Sequence, residues 1–112
     1  MNFISRAEGD TQVILVDAAR IDASVAIRFK DQMREMTATA PGRVVLDMHK
    51  VDFVDSSGLG AIVAAVKQLD SHQKLDLSGL TPGVDKVFRL TRMDSIFAIH
   101  SDLDAALAPS EL

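Results

Sequence analysis

The chain has 112 residues, 47% of them hydrophobic, which is enough for a single domain with its own core. Its net charge of −4 has the wrong sign for nucleic acid or an anionic membrane as a main partner. Cysteine is absent, which excludes disulfides, thiolate metal sites and cysteine nucleophiles, and the lack of Trp and Tyr removes base-stacking platforms.

In chain order, Met1–Arg6 has no basic region followed by a long apolar run, so no secretory signal is expected and the cytoplasm is the expected location. Asn2–Arg6 reads as a short strand, Glu8-Gly9-Asp10 as a turn and Gln12–Val16 as a second strand, together an N-terminal hairpin. Arg20–Ser24 leads into a helix to about Thr37, with Val25, Phe29, Met33 and Met36 on one face and Arg28, Lys30, Asp31, Arg34 and Glu35 toward water. Asp22 is a natural cap for that helix. Pro41-Gly42 closes the unit.

Arg43–Met48 is the strongest strand signal, and its unbroken apolar centre predicts a central strand covered on both faces. Asp47 ends it. A second helix begins at Ser56 or Ser57 and runs to about Asp70, with Leu59, Ile62, Val63, Val66 and Leu69 as its apolar stripe. Ala61, Ala64 and Ala65 keep another face small enough for close packing. This segment holds Asp55, two serines and two glycines, so it does not read as a membrane span.

Lys74–Ser78 reads as a short strand. Pro82 opens a helix with Val84, Val87, Phe88 and Thr91 inward. Ser95–Ile99 reads as a final strand, Ser101 as the cap of a short helix with Leu103, Ala106 and Leu107 inward, and the tail from Ala108 as frayed. Alternating strands and helices predict one α/β domain spanning residues 1–112, with a mixed, mostly parallel sheet of four to five strands and about four helices.

Asp55-Ser56-Ser57-Gly58-Leu59-Gly60 is the chemically informative stretch. It follows the central strand, so it falls near the carboxyl edge of the sheet, where α/β folds place their sites. A hydroxyl at a helix N-terminus meets unpaired N–H groups and a partial positive charge, a favourable place for a phosphate. One serine caps the helix and the other is the exposed acceptor, and local pattern leaves open which is which. Phosphorylation adds about −1.5 to −2 charges. The helix dipole tolerates them, whereas a partner docked beside Asp22 and Asp55 does not. Gly58 and Gly60 strip bulk from the start of the helix and let another backbone or a protein surface approach.

Rival chemistries are poorly supported. A hydrolase elbow needs Gly-x-Ser-x-Gly, and Asp55 occupies the first glycine's place. His49, His72 and His100 are far apart, have no ligand at helical spacing and read as surface or edge residues, so no metal site is expected. No glycine-rich nucleotide loop is present, so no cofactor is expected. Lys86, Arg89 and Arg92 read as a solvated face.

The stretch Val44-Val45-Leu46-Asp47 followed by Val51–Gly60 resembles the signature of the STAS domain, and within it the bacterial anti-sigma-factor antagonists. Ile21-Asp22-Ala23 resembles that family's approach to its first helix, and Val84–Phe97 its third helix and last strand. Ala19 stands where the family usually has glycine, and Ser71-His72-Gln73 lacks the glycine usual before the next strand. The resemblance implies a partner switch. The unphosphorylated protein binds an anti-sigma factor that is also a serine kinase, and so frees a sigma factor. The kinase phosphorylates the first serine, here Ser56 with Ser57 the runner-up. The complex then parts, and a serine phosphatase resets it.

On that reading the protein is not an enzyme and has no catalytic residues. Asp22, Asp55, Ser56, Ser57, Gly58, Leu59 and Gly60 form the partner-binding surface. The alternative within the resemblance is a structural subunit of a lipid transporter or stress-signalling assembly, working without a phosphorylation cycle.

Overall fold

Gly9, at φ +61°, turns the chain between two antiparallel strands, β1 (Asn2–Glu8) and β2 (Thr11–Asp17). That left-handed conformation suits glycine. The structure is a computed structural model and describes residues 2–39 and 42–108. Pro41 and the end of the tail, 109–112, lie outside the described residues.

β2 pairs in parallel with β4 (Arg43–Asp47), β4 with β6 (Lys74–Ser78) and β6 with β7 (Ile99–His100). The main sheet therefore runs β1-β2-β4-β6-β7, mostly parallel as expected. Two short strands, β3 (Arg20–Ile21) and β5 (Phe53–Val54), form a separate parallel pair that the sequence reading did not anticipate. Two residues are too few to show a two-residue period.

One face of the sheet carries the main core. Ile14, Val16, Val44, Leu46, Leu75 and Leu77 pack there against α1 (Ala26–Thr37), α2 (Ser56–Lys67) and α3 (Pro82–Leu90). Phe29, Met33, Ile62, Val84 and Phe88 fill the space between the layers. Alternate residues Val13 and Val45 are also buried, outside that cluster, and α4 (Leu103–Leu107) packs on β4, β6 and β7 with Ala106 buried. The central strand is thus covered on both faces.

Several boundaries differ from expectation for local reasons. α1 begins at Ala26, because Asp22 makes a turn of its own. Its carbonyl accepts from Val25 N–H at 3.0 Å and its carboxylate from Ser24 N–H at 3.1 Å. Asp22 is therefore not the helix cap; Val25 holds that position with no side-chain hydrogen bond. α2 ends at Lys67, three residues early, where Leu69 N–H reaches Val66 O at 3.1 Å and tightens the chain.

Its inward face is the small one, Gly58, Ala61 and Ala65 with Ile62, whereas Leu59, Val63 and Val66 are only half-buried. Thr91 is exposed, its hydroxyl donating to Val87 O at 2.7 Å. The expected strand over Ser95–Ile99 is instead a 3-10 turn, Met93–Ser95, followed by the two residues of β7. Arg92 at φ 61° reverses the chain, and Ile96 N–H bonds Met93 O at 3.0 Å. Asp102, not Ser101, caps α4 by accepting from Ala105 N–H at 2.7 Å.

Candidate functional site

β3 and β5 place the site. Their parallel register, Arg20 opposite Phe53 and Ile21 opposite Val54, carries both chains forward to Asp22 and Asp55 side by side. The Asp55 N–H donates to Ile21 O at 3.3 Å. One oxygen of the Asp55 carboxylate accepts from Gly58 N–H at 2.8 Å and the other from Ala23 N–H at 3.1 Å. A single side chain thereby caps α2 and ties the loop after β3 to it. A carboxylate there also complements the helix dipole.

The cap is therefore Asp55 and not a serine, which corrects the expectation that Ser56 or Ser57 fills that role. Both serines occupy the first turn of α2, both are exposed, and neither hydroxyl has a hydrogen-bond partner among the described residues.

Gly58 is buried beneath this surface. A Cβ on it would sit 1.9 Å from Ile21 O, so only glycine lets β3 cross α2 this closely. The close approach foreseen at Gly58 is made by the chain's own backbone. Gly60 differs: it is exposed, and a Cβ there would meet nothing within 4 Å. Leu59 lies half-buried between them.

Asp22 sits at the rim with its own support. Its carboxylate accepts from the Ser24 hydroxyl at 2.6 Å and from Arg20 Nε at 3.2 Å. The Ser24 hydroxyl first and the Arg20 guanidinium second hold its carboxyl below the ordinary range, so it is anionic at neutral pH. Arg20 also lies 4.3 Å above the centre of the half-exposed Phe53 ring, a cation–π contact that sequence reading missed. Ala19, where glycine was expected, has no positive φ, and its carbonyl accepts from Asp52 N–H at 2.8 Å.

Other charged groups serve the scaffold. Asp47 is buried at the end of β4 and bonds the backbone N–H and Nδ1 of His49, at 3.1 and 2.9 Å, which fixes the turn after the strand. His72 is exposed, and His100 lies half-buried on the edge strand β7. Asp76, 2% exposed, accepts from Arg43 Nη2 at 2.8 Å and pairs with His100 Nε2 at 3.1 Å, with Lys74 Nζ 3.7 Å away. This cluster was not foreseen. Its one sequence signal was an aspartate between two leucines in a strand. Burial opposes ionisation of Asp76, but Arg43, His100 and Lys74 prevail and hold its carboxyl below the ordinary range.

Among the described residues no group of three or more His, Asp and Glu side chains is placed to hold a metal, and no helix is long and apolar enough to cross a membrane.

The family model of the STAS domain matches residues 4–106. An anti-sigma-B factor antagonist of Listeria monocytogenes is 35% identical over 97 residues, covering 84% of each chain. BtrV of Bordetella bronchiseptica is 39% identical over 67 residues, 59% of this chain and 58% of that one. The crystal structure of an anti-sigma factor antagonist from Mycobacterium paratuberculosis superimposes with a TM-score of 0.84 at 24% identity, covering 95% of this chain and 90% of that one.

Proposed function

The chain belongs to the STAS domain family, and from that premise we propose that it is a cytoplasmic anti-sigma factor antagonist switched by phosphorylation of Ser56. The unmodified protein binds an anti-sigma factor with serine kinase activity and so frees a sigma factor. The Ser56 hydroxyl oxygen then takes the γ-phosphoryl group of ATP. ADP leaves, and the hydroxyl proton passes to a base on the kinase. A serine phosphatase reverses the step. The protein acts by binding and carries no catalytic residue of its own.

The observation that supports this reading most directly is the free Ser56 hydroxyl at the first position of α2, left exposed because Asp55 caps the helix. A phosphate there faces the helix N-terminus, so the fold tolerates it. It adds about −1.5 to −2 charges beside Asp22 and Asp55, on the surface the partner must cover. Binding is therefore lost while folding is kept. Ser57, exposed on the next residue, is the competing acceptor.

Incubation with the cognate kinase and ATP, followed by mass-spectrometric mapping, tests the assignment. Phosphate on Ser56 is expected. Phosphate on Ser57 alone moves the switch by one residue, and no phosphate from an active kinase sinks the cycle in favour of a structural subunit.

A further inference from the structure

We propose that the chain pairs with a second copy of itself along the outer edge of β1, as a symmetric dimer in which one sheet runs through both copies. The proposal is independent of the switch, since no residue of the candidate site lies on β1. The two ends of the main sheet differ. At one end β7 is two residues long and offers little to pair with. At the other, β1 is seven residues long, contains no proline and pairs with β2 in unbroken register from Asn2 opposite Asp17 to Glu8 opposite Thr11. Short strands, prolines and bulges keep sheet edges from pairing, and β1 has none of them.

The hairpin sets which backbone groups are free. The two-residue turn Gly9-Asp10 makes Glu8 and Thr11 a hydrogen-bonded pair, and such pairs alternate along antiparallel strands. Asn2, Ile4, Arg6 and Glu8 therefore bond β2. Phe3, Ser5 and Ala7 aim their N–H and C=O groups outward, where no group of the described residues meets them. Two such edges must match outward residues with outward residues, and full antiparallel overlap centres Ser5 on Ser5 of the second copy. Phe3 then lies opposite Ala7, Ile4 opposite Arg6 and Asn2 opposite Glu8. Large faces small on one side of the sheet, and no like charges are opposed on the other. A slip of two residues one way sets Arg6 against Arg6, and the opposite slip leaves Glu8 unpaired.

α1 supplies a second, independent argument. It lies above β1 and β2, with the Phe29 ring 5.5 Å from that of Phe3 and Met36 O accepting from Gln12 Nε2 at 3.0 Å. One flank of α1 faces α2, where Arg34 Nε donates to Gln68 at 3.0 Å. At about 100° per residue, the opposite flank, on the side of the open edge, carries Arg28, Gln32 and Glu35. Arg28 and Glu35 are exposed and make no ion pair among the described residues. The two-fold axis that pairs the strands also sets the two α1 helices antiparallel, so Arg28 of each copy faces Glu35 of the other. Strand edge and helix flank are thus self-complementary about one axis.

Sedimentation of the full chain from about 10 μM to about 1 mM tests this by mass action. Wild type should show a concentration-dependent equilibrium between monomer and dimer. Ile4→Lys opposes a second cation to Arg6 and should weaken the dimer about tenfold or more, whereas Ile4→Glu gains an ion pair there and should stay within about threefold of wild type. Ile4 is 53% exposed, so both variants should fold. Arg28→Glu should weaken the dimer about three- to tenfold, and adding Glu35→Arg to it should restore the wild-type equilibrium. A chain that stays monomeric up to the highest concentration leaves the edge to a foreign strand and overturns the proposal. A dimer indifferent to Ile4→Lys and Arg28→Glu overturns it as well. Equal weakening by Ile4→Lys and Ile4→Glu overturns the Ser5-centred register.

Discussion

At the scale of single residues, Asp55 decides what Ser56 is free to do. Its two oxygens satisfy Gly58 N–H and Ala23 N–H, so the helix needs no hydroxyl cap. Sequence alone left cap and acceptor undivided between the two serines, because aspartate and serine both cap well and the choice depends on where the helix starts. Ser56 differs from Ser57 in lining the open groove between α2 and the 3-10 turn, whose other walls include Leu59, Val63, Met93 and Ile96.

This predicts how substitutions at Ser56 behave. Ser56→Asn is close to Ser56→Asp in size but neutral. It should bind the anti-sigma factor within about threefold of wild type, and Ser56→Asp at least tenfold more weakly. Both should melt within a few degrees of wild type. The Ser56→Asp deficit should shrink at 1 M salt, where the screening length is only about 3 Å, because the added charge beside Asp22 and Asp55 acts by repulsion. A deficit unchanged at high salt would instead assign release to desolvation or loss of fit.

Among elements, α2 carries the candidate site, and its two glycines make opposite predictions. Gly58→Ala forces a Cβ to 1.9 Å from Ile21 O. The backbone of β3 must move, at a cost of about 3 kcal/mol, which thermal melting should read as a fall of roughly 10 °C or more. Gly60→Ala meets open space and gains helix propensity, so the fold should be more stable by about 0.5–1 kcal/mol. The same change should weaken partner binding several-fold. Unchanged binding would mean that nothing packs over Gly60.

Both glycines were visible in sequence as unusual for a helix, but not which of them served the fold. That depends on β3, a two-residue strand with no periodic signal. The long elements were legible for the complementary reason. β2 and β4 are apolar runs of strand length, and α1 repeats Phe29 and Met33 at helical spacing. The region after α3 was misread because Ile96 and Phe97 have strand propensity, whereas Arg92 in a left-handed conformation sets a turn there.

For the whole molecule, the sheet has two differently built sides: an apolar face under three helices and a face on which Asp76, Arg43 and His100 form a polar cluster. Asp76 titrates below the ordinary carboxylate value of about 3.9. Its contribution to stability is therefore complete above that value and is lost as pH falls through the lower folded pKa. Urea unfolding between pH 6 and pH 2 should show a steeper loss below pH 4 for wild type than for Asp76→Asn. At pH 6 Asp76→Asn should be less stable by about 2 kcal/mol, a value reduced by the partial exposure of Arg43.

Fold class, the mostly parallel sheet and the central place of β4 follow from the pattern of elements and were legible at this scale. The polar cluster was not, since its members are 24 and 33 residues apart. On the proposed function, a phosphate on Ser56 changes binding and leaves folding intact. The most direct test is calorimetric titration of the anti-sigma factor with unmodified protein and with protein stoichiometrically phosphorylated on Ser56. At least a hundredfold loss of affinity with an unchanged melting temperature is the result the account predicts, and equal affinities for the two forms would contradict it.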